Sequence, residues 1–201
     1  MNEKIYLYKM DRDALCQAES ELFELLPEWR KVKARKMKAE DGKLQSIAAG
    51  RLLDLALADY LGQDVNEIDW CFLDNNALFN TYLHNNKDVC FFNISHSGDY
   101  VAVVVGDAPA GIDVEYKDDK LFKVTGRFFT SAENDYIVKD DVADDEKQCR
   151  FRDVWTMKEA FLKCVGTGIN VSLKSFEGVV DQIENQIENQ ICYSLALYFQ
   201  A

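Results

Sequence analysis

The stretch GIDVEY, residues 111–116, holds two carboxylates, Asp113 and Glu115, with one residue between them in a run that is typical of a β-strand. Successive side chains of a strand point to opposite faces, so Asp113 and Glu115 would share one face. The apolar Ile112 and Val114 would share the other. Two like charges side by side repel each other; a strand edge in water tolerates this, and a hard cation such as Mg²⁺ would offset it. The rest of the sequence has to decide between these two interpretations.

The composition indicates an acidic globular protein. The 201 residues are 48% hydrophobic, enough for one large domain or for two halves of about a hundred residues each. The formal net charge of −12 at pH 7 argues against binding nucleic acid or an anionic membrane through overall charge. The start, MNEKIYLYKM, lacks a secretory signal, and no apolar run approaches the roughly 18 residues of a membrane span. We therefore expect a cytoplasmic protein.

The six cysteines form no C-x-x-C pair and only two histidines are present, so a Cys/His zinc site is not expected.

The periodicity of the chain predicts an α+β fold in two halves, 1–108 and 109–201, joined by the connector GDAPAG. For the first half it predicts a strand at 4–10, helices at 14–26 and 44–62 with a C-cap at Gly62, and strands at 70–74, 90–95 and 100–105. For the second half it predicts a strand at 111–115, a helix near 131–139, an acidic loop at 139–147, a helix through 153–166, a short helix at 182–189 and strand-like segments to 199.

A basic stretch interrupts the acidic chain at residues 30–43, RKVKARKMKAEDGK, with seven Lys and Arg against only Glu40 and Asp41. One interpretation is the solvated face of a helix. The other is a binding site for a small polyanion, which such a cluster in an acidic protein favours.

Glu159 and Lys163 lie four residues apart in WTMKEAFLK, residues 155–163, and therefore on one face of a predicted helix. Alone, such a pair is usually a surface ion pair contributing a few tenths of a kcal/mol. Here it follows FNISHSGDY, residues 92–100, and then GIDVEY, in a recognisable order.

These segments together resemble the 4′-phosphopantetheinyl transferases, specifically the two-halved type that activates surfactin synthetase. The family pattern reads V/I-G-I/V-D-I/V-E, a spacer, and W-S/T-x-K-E-A/S-x-x-K, which residues 111–115 and 155–163 match. NISHS at 93–97 and RFFTSAE at 127–133 are similar to further family segments, as is the basic stretch with the helix that follows it. The resemblance covers about residues 1–178.

The resemblance implies two pseudo-symmetric α+β halves with the active site in the cleft between them. It implies a Mg²⁺-dependent enzyme, a holo-acyl-carrier-protein synthase, that moves the phosphopantetheine arm of coenzyme A to a serine hydroxyl of an apo acyl or peptidyl carrier protein and releases 3′,5′-ADP. The substrate supplies the nucleophile, so the enzyme's tasks are positioning and charge neutralisation at a pyrophosphate. Two fused halves would complete the cleft within one chain, which favours a monomer.

The resemblance also implies roles for individual residues. Asp113, Glu115 and Glu159 would hold Mg²⁺ against the pyrophosphate, which would answer the repulsion within GIDVEY. Glu159 would also accept the proton of the incoming serine, directly or through a metal-bound water, and Lys163 would neutralise the α-phosphate. The groups expected to contact the phosphates of coenzyme A are Ser95, His96, Lys33 and Arg35, with Arg30 and Lys43 as further candidates.

Three questions stay open at the level of the sequence. Glu133 matches an acidic residue of the family, and Thr130-x-x-Glu133 also fits a capping box at the start of a helix. Before NISHS the family commonly carries a GKP segment, and DNNALFN at 74–80 stands in its place, which leaves the adenine-side contacts open. A protein of the same fold that binds coenzyme A or a carrier without catalysis is the rival function, and a metal-dependent phosphohydrolase is a third.

Overall fold

A computed structural model describes residues 2–68, 81–84, 87–116, 128–138, 143–166, 174 and 191–196. In chain order the elements are β1 (Glu3–Lys9), α1 (Arg12–Glu24), α2 (Glu28–Arg35), α3 (Glu40–Leu61), a 3₁₀ turn (Val65–Glu67), β2 (Thr81–His84), β3 (Lys87–Ser97), β4 (Tyr100–Gly106), β5 (Ala110–Glu115), α4 (Ser131–Ile137), α5 (Asp144–Cys164) and β6 (Ile191–Ala196). The fold is α+β, as the periodicity predicts. The predicted strand at 70–74, the stretch 74–80 and the predicted helix at 182–189 lie outside the described residues.

The described strands form two sheets. One contains four antiparallel strands in the order β1-β4-β3-β2, and the other pairs β5 with β6 in parallel. The change of sheet falls in the connector between β4 and β5. The division into pseudo-symmetric halves at residue 108 stays a prediction.

Strand β4 lies in the middle of the core, with apolar partners on both faces. On one face Val103 packs with Leu53 and Leu57 of α3, all of them fully buried. On the other face Val104 packs with Ile112 of β5. Ile112 and its neighbour Val114 are thus inside, as the strand alternation in GIDVEY predicts. Within the described ranges, no helix is long and apolar enough to cross a membrane.

Two helices begin earlier than the sequence pattern predicts. Helix α5 starts at Asp144, inside the stretch 139–147 that was predicted to be an acidic loop, and α3 starts at Glu40 rather than at residue 44. In both helices the first turn is acidic. Carboxylates there interact favourably with the positive end of the helix dipole, so a charge pattern that resembles a loop is compatible with a helix start. Gly62 ends α3 in the left-handed conformation, with φ of 68°, as predicted.

Helix α5 rests directly on strand β5 because residue 111 has no side chain. A Cβ added at Gly111 would overlap the carbonyl oxygen of Ala160 and the amide nitrogen of Cys164. The glycine of the GIDVEY stretch is therefore a packing requirement. The close approach places the second half of α5, which carries Glu159 and Lys163, beside Asp113.

A buried ion pair connects α4 to α5. The Lys158 ammonium lies 2.5 Å from Oε1 of Glu133, and both side chains are completely buried. The other oxygen of Glu133 accepts the backbone N–H of Thr130 at 2.9 Å, and the Thr130 hydroxyl accepts the backbone N–H of Glu133. The capping box read from the sequence is therefore present, and the same carboxylate also fixes α4 to the residue preceding Glu159.

Replacing Gly111→Ala should lower the free energy of unfolding by about 2–4 kcal/mol, because the added methyl group pushes β5 and α5 apart. Gly42→Ala is the matched control: its new Cβ would lie 3.9 Å from the Met37 sulfur, and alanine in a helix should stabilise by up to about 1 kcal/mol. Urea unfolding measures both. Wild-type stability in the Gly111 variant would contradict the packing of α5 on β5.

Replacing Lys158→Met should cost about 3–5 kcal/mol, because it leaves the Glu133 carboxylate buried without its counter-charge. Adding Glu133→Gln removes the remaining charge and should recover much of that loss. A double-mutant cycle on denaturant unfolding measures the coupling. Simple additivity of the two single losses would show that the two side chains do not form a pair.

Candidate active site

Asp113 and Glu115 both point from β5 towards the end of β3, where two serines meet them. The Ser95 hydroxyl donates to Oδ1 of Asp113 at 2.8 Å, and the Ser97 hydroxyl donates to Oε2 of Glu115 at 3.1 Å. The two carboxylates therefore share one face of their strand, as the sequence predicts. They lie at the junction between the two sheets.

The same serines also bind the backbone of β5. Ser95 Oγ accepts the N–H of Val114 at 3.2 Å, and Ser97 Oγ accepts the N–H of Tyr116 at 3.1 Å. Each hydroxyl thus joins one carboxylate to the next peptide group of the strand. Strands β3 and β5 belong to different sheets, and in the described residues these hydroxyls bridge them.

Lys163 reaches the same place from α5, four residues after Glu159. Its ammonium donates to Oδ1 of Asp113 at 2.6 Å, to Ser95 Oγ at 3.0 Å and to the carbonyl of Ile112 at 3.2 Å. Three acceptors match the three donors of an ammonium group. The helix face predicted from the Glu159–Lys163 spacing therefore meets the strand face predicted from GIDVEY.

The carboxylates repel each other in a partly dry environment. Burial, followed by the negative charge of Asp113, raises the pKa of Glu115 to about 7, against the hydrogen bonds from Ser97 and Trp155. Burial and the charge of Asp113 also raise the pKa of Glu159, and the Lys163 ammonium opposes that rise. The site therefore carries more negative charge than Lys163 balances.

These side chains fit the chemistry of a hard cation. Oδ2 of Asp113 is buried and has no hydrogen-bond partner among the described residues, whereas Oδ1 has two. Carboxylate oxygens are the ligands that Mg²⁺ prefers, and a cation would stabilise the charged forms of Glu115 and Glu159. In the observed conformation, the described residues contain no group of three His, Cys, Asp or Glu side chains close enough together to hold a metal ion. The assignment of Asp113, Glu115 and Glu159 as its ligands stays a prediction.

A cavity of about 110 Å³ lies on the opposite face of β3. Its walls come from α2 and β3, and they comprise Trp29, Arg30, Lys33, Phe92, Ile94 and His96. His96 points into it because Ser95 and Ser97, its neighbours along the strand, point to β5. Lys33 and His96, both predicted to contact phosphate, thus lie in one cavity.

The cavity is electropositive. Burial, followed by the charges of Lys33, Arg30 and Lys163, lowers the pKa of His96 to about 4, so this imidazole is neutral at pH 7. Burial lowers the pKa of Arg30 to about 10, which leaves it charged. Burial and the charges of Arg30 and Lys163 lower the pKa of Lys33. An anion entering the cavity would relieve the repulsion among these cations.

Three predicted phosphate contacts lie elsewhere. Arg35 is 2.8 Å from Glu28 and its guanidinium lies over the ring of Phe23, and Lys43 pairs with Glu19 over the same ring. Arg35 is two residues from Lys33, and helix positions two apart do not face each other, so the two side chains diverge. Ser95, the third, contacts Asp113 on the far side of β3. That Arg35, Lys43 and Ser95 bind phosphate stays a prediction.

Sequence reasoning missed two side chains of the site. Ser97 was not singled out from the sequence, although its position two residues after Ser95 places it on the same face of the strand. Trp155 was noted only as a member of the W-S/T-x-K-E motif, with no role assigned to it. It packs edge to face on Phe128, with ring centroids 5.6 Å apart, and it lowers the pKa of Glu115. No feature of the sequence alone indicates that effect.

Comparison with known proteins agrees with this geometry. The pattern described as the 4′-phosphopantetheinyl transferase superfamily matches residues 109–197, which include both motifs. The chain is 33% identical over 181 residues to the 4′-phosphopantetheinyl transferase Sfp of Bacillus subtilis (strain 168), covering 86% of this chain and 75% of that protein.

Two further relatives match over shorter stretches. The 4′-phosphopantetheinyl transferase psf-1 of Bacillus pumilus is 40% identical over 85 residues, which are 42% of this chain and 36% of that protein. The 4′-phosphopantetheinyl transferase gsp of Aneurinibacillus migulanus is 32% identical over 126 residues, 61% of this chain and 50% of that protein. In these two matches the chain spans half or less of the relative's length. From the relation to Sfp along most of both chains, together with the matched motifs, the chain belongs to the 4′-phosphopantetheinyl transferase superfamily.

Proposed function

We propose that this protein is a Mg²⁺-dependent 4′-phosphopantetheinyl transferase that modifies an apo acyl or peptidyl carrier protein with coenzyme A as the donor. The observation that carries the proposal is the meeting of Asp113, Glu159 and Lys163 at the junction of the two sheets, where Oδ2 of Asp113 is buried and has no partner in the part of the chain that the structure describes. In the proposed reaction the serine oxygen of the carrier forms a bond to the phosphorus of the phosphopantetheine arm. The bond from that phosphorus to the bridging oxygen breaks, and 3′,5′-ADP leaves.

Each side chain of the site has a task in this reaction. Asp113, Glu115 and Glu159 would hold Mg²⁺, which when bound neutralises charge on the pyrophosphate. Glu159, whose charged form a bound cation would stabilise, accepts the proton of the serine hydroxyl as the general base. Lys163 balances the charge that develops on the departing phosphate, from a position already fixed by three acceptors.

The cavity on the other face of β3 would receive the 3′-phosphate of coenzyme A. Lys33 and Arg30 supply positive charge, and the neutral His96 can donate one hydrogen bond. Lys163, which contacts Asp113, also lowers the pKa of Lys33 and of His96, so the charges of the cavity and of the carboxylate site act on each other. We also propose that the protein is a monomer and acts in the cytoplasm.

One experiment separates this function from its rivals. The protein is incubated with coenzyme A, Mg²⁺ and an apo carrier protein, and the carrier is then weighed by mass spectrometry. A transferase adds one phosphopantetheine to the carrier. A binding protein leaves coenzyme A intact, and a phosphohydrolase cleaves it with no carrier present.

We expect Asp113→Ala and Glu159→Ala each to lower the transfer rate by about 10²–10⁴-fold, because the first removes a proposed metal ligand and the second a ligand and the base. Both variants should stay folded by circular dichroism and should require more Mg²⁺. Asp59→Ala removes an exposed carboxylate paired with Lys4 and should keep the wild-type rate. A near-full rate of either site variant at limiting Mg²⁺ would refute the metal assignment.

Lys33→Glu should raise the KM for coenzyme A by roughly 10- to 100-fold, because a charge-assisted contact to phosphate becomes a repulsion. The KM for the carrier protein should change little. Arg35→Glu makes the same charge change two residues away, outside the cavity, and should raise the KM for coenzyme A less than about 3-fold. Equal effects of the two variants would favour the sequence prediction for Arg35 over the cavity.

A further inference from the structure

We propose that Ser95 and Ser97 are positioning residues, which hold the carboxylates of Asp113 and Glu115 in the orientation that binds the cation. This inference rests on the proposed function. It gives Ser95 a task different from the phosphate contact that the sequence predicts. Neither serine touches a substrate in this role, since each acts through the carboxylate that it binds.

The hydrogen bonds of Ser95 leave its hydroxyl one orientation. A hydroxyl has one proton to donate and two lone pairs that accept. The Val114 N–H and the Lys163 ammonium occupy the accepting side, at 3.2 and 3.0 Å. The proton is therefore directed to Oδ1 of Asp113, 2.8 Å away, and Ser95 is 95% buried, so water does not compete for it.

This arrangement selects which oxygen of Asp113 is offered to a ligand. Oδ1 accepts from both Ser95 and Lys163, while Oδ2 is buried and no described residue donates a hydrogen bond to it. A buried carboxylate oxygen without a partner is costly unless a donor or a cation meets it. Fixing Oδ1 thus prevents the carboxylate from rotating and keeps Oδ2 as the free ligand atom.

Ser97 makes the corresponding contacts two residues further along β3, with the carboxylate that lies two residues further along β5. Its hydroxyl donates to Glu115 Oε2 at 3.1 Å and accepts the Tyr116 N–H at 3.1 Å. The next residue, Gly98, has φ of 54°, and a Cβ there would lie 2.7 Å from the Tyr116 ring, so the turn packs tightly on the end of β5. The spacing of the serines on β3 matches that of the carboxylates on β5, because both strands have a period of two.

The alternative is that the serines only join the two strands. In that case their loss would lower stability but leave the cation affinity of the folded protein unchanged. Cation affinity is therefore the measurement that decides. In metal sites generally, removing a hydrogen bond that orients a ligand costs about 10–100-fold in affinity.

The experiment measures Mn²⁺ binding to the full chain by electron paramagnetic resonance, which counts free Mn²⁺ directly and needs no turnover. Mn²⁺ is the probe because it shares the preference of Mg²⁺ for oxygen ligands. Ser95→Ala and Ser97→Ala should each weaken Mn²⁺ binding by about 10-fold or more, and Ser97→Thr, which keeps the hydroxyl, should stay within about 3-fold of wild type. Ser46→Ala is the matched control, since Ser46 is also buried and its hydroxyl forms no hydrogen bond with any described residue.

In transfer assays the alanine variants should need more Mg²⁺ while the KM for coenzyme A stays unchanged, a split that a general loss of packing would not produce. Melting temperatures identify folded variants, and Ser97→Ala, at the more exposed end of β3, carries the test should Ser95→Ala not fold. Folded alanine variants that bind Mn²⁺ as tightly as wild type and Ser46→Ala would overturn the inference while leaving the metal site intact. Absence of Mn²⁺ binding by the wild-type protein would overturn the proposed function and with it the inference.

Discussion

The contact between β5 and α5 at Gly111 is the constraint on which the site depends. Without a side chain at that position, the helix backbone approaches the strand until atoms meet. That approach determines where Glu159 and Lys163 stand relative to Asp113, and the Lys163 ammonium reaches the carbonyl of Ile112 only because the two elements are so close. The buried pair of Lys158 and Glu133 then fixes the helix from its other side. Gly111 and Lys158, both members of the motifs, are thus required for the packing of α5, the first against β5 and the second against α4.

Strand β3 separates two sites of opposite charge. On one face Ser95 and Ser97 hold carboxylates, and on the other His96 lines a cavity with Arg30 and Lys33. A strand presents alternate side chains to its two faces, so three consecutive residues contribute to two sites of opposite charge. The acidic chain thereby keeps a local positive cavity close to a group of carboxylates. This arrangement suits a ligand that carries separate phosphate groups and arrives with a divalent cation.

Strand alternation and helix spacing were enough to predict which of the candidate side chains share a face. They placed Asp113 and Glu115 on one face and Glu159 beside Lys163 on another, because both periods are set by backbone geometry. The direction in which a basic side chain points could not be predicted in the same way. Lys33 and Arg35 are equally charged and close in sequence, and only the packing of α2 directs one into the cavity and the other towards Glu28.

The register of the first sheet affects how the chain can fold as it is made. Glu3 of β1 pairs with Gly106 of β4, so the partner of this strand is synthesised about a hundred residues later. At 5–20 residues per second, β1 waits roughly 5 to 20 seconds for its partner to leave the ribosome, whereas β3 and β4 can pair as a local hairpin at once. Contacts between distant residues close slowly because the intervening chain must give up entropy.

During that interval Ile5 and Leu7, which stay 41% and 46% exposed even after folding, belong to an unpaired strand. The lysines at both ends of that segment, Lys4 and Lys9, supply the charge that discourages such a strand from pairing with another nascent chain.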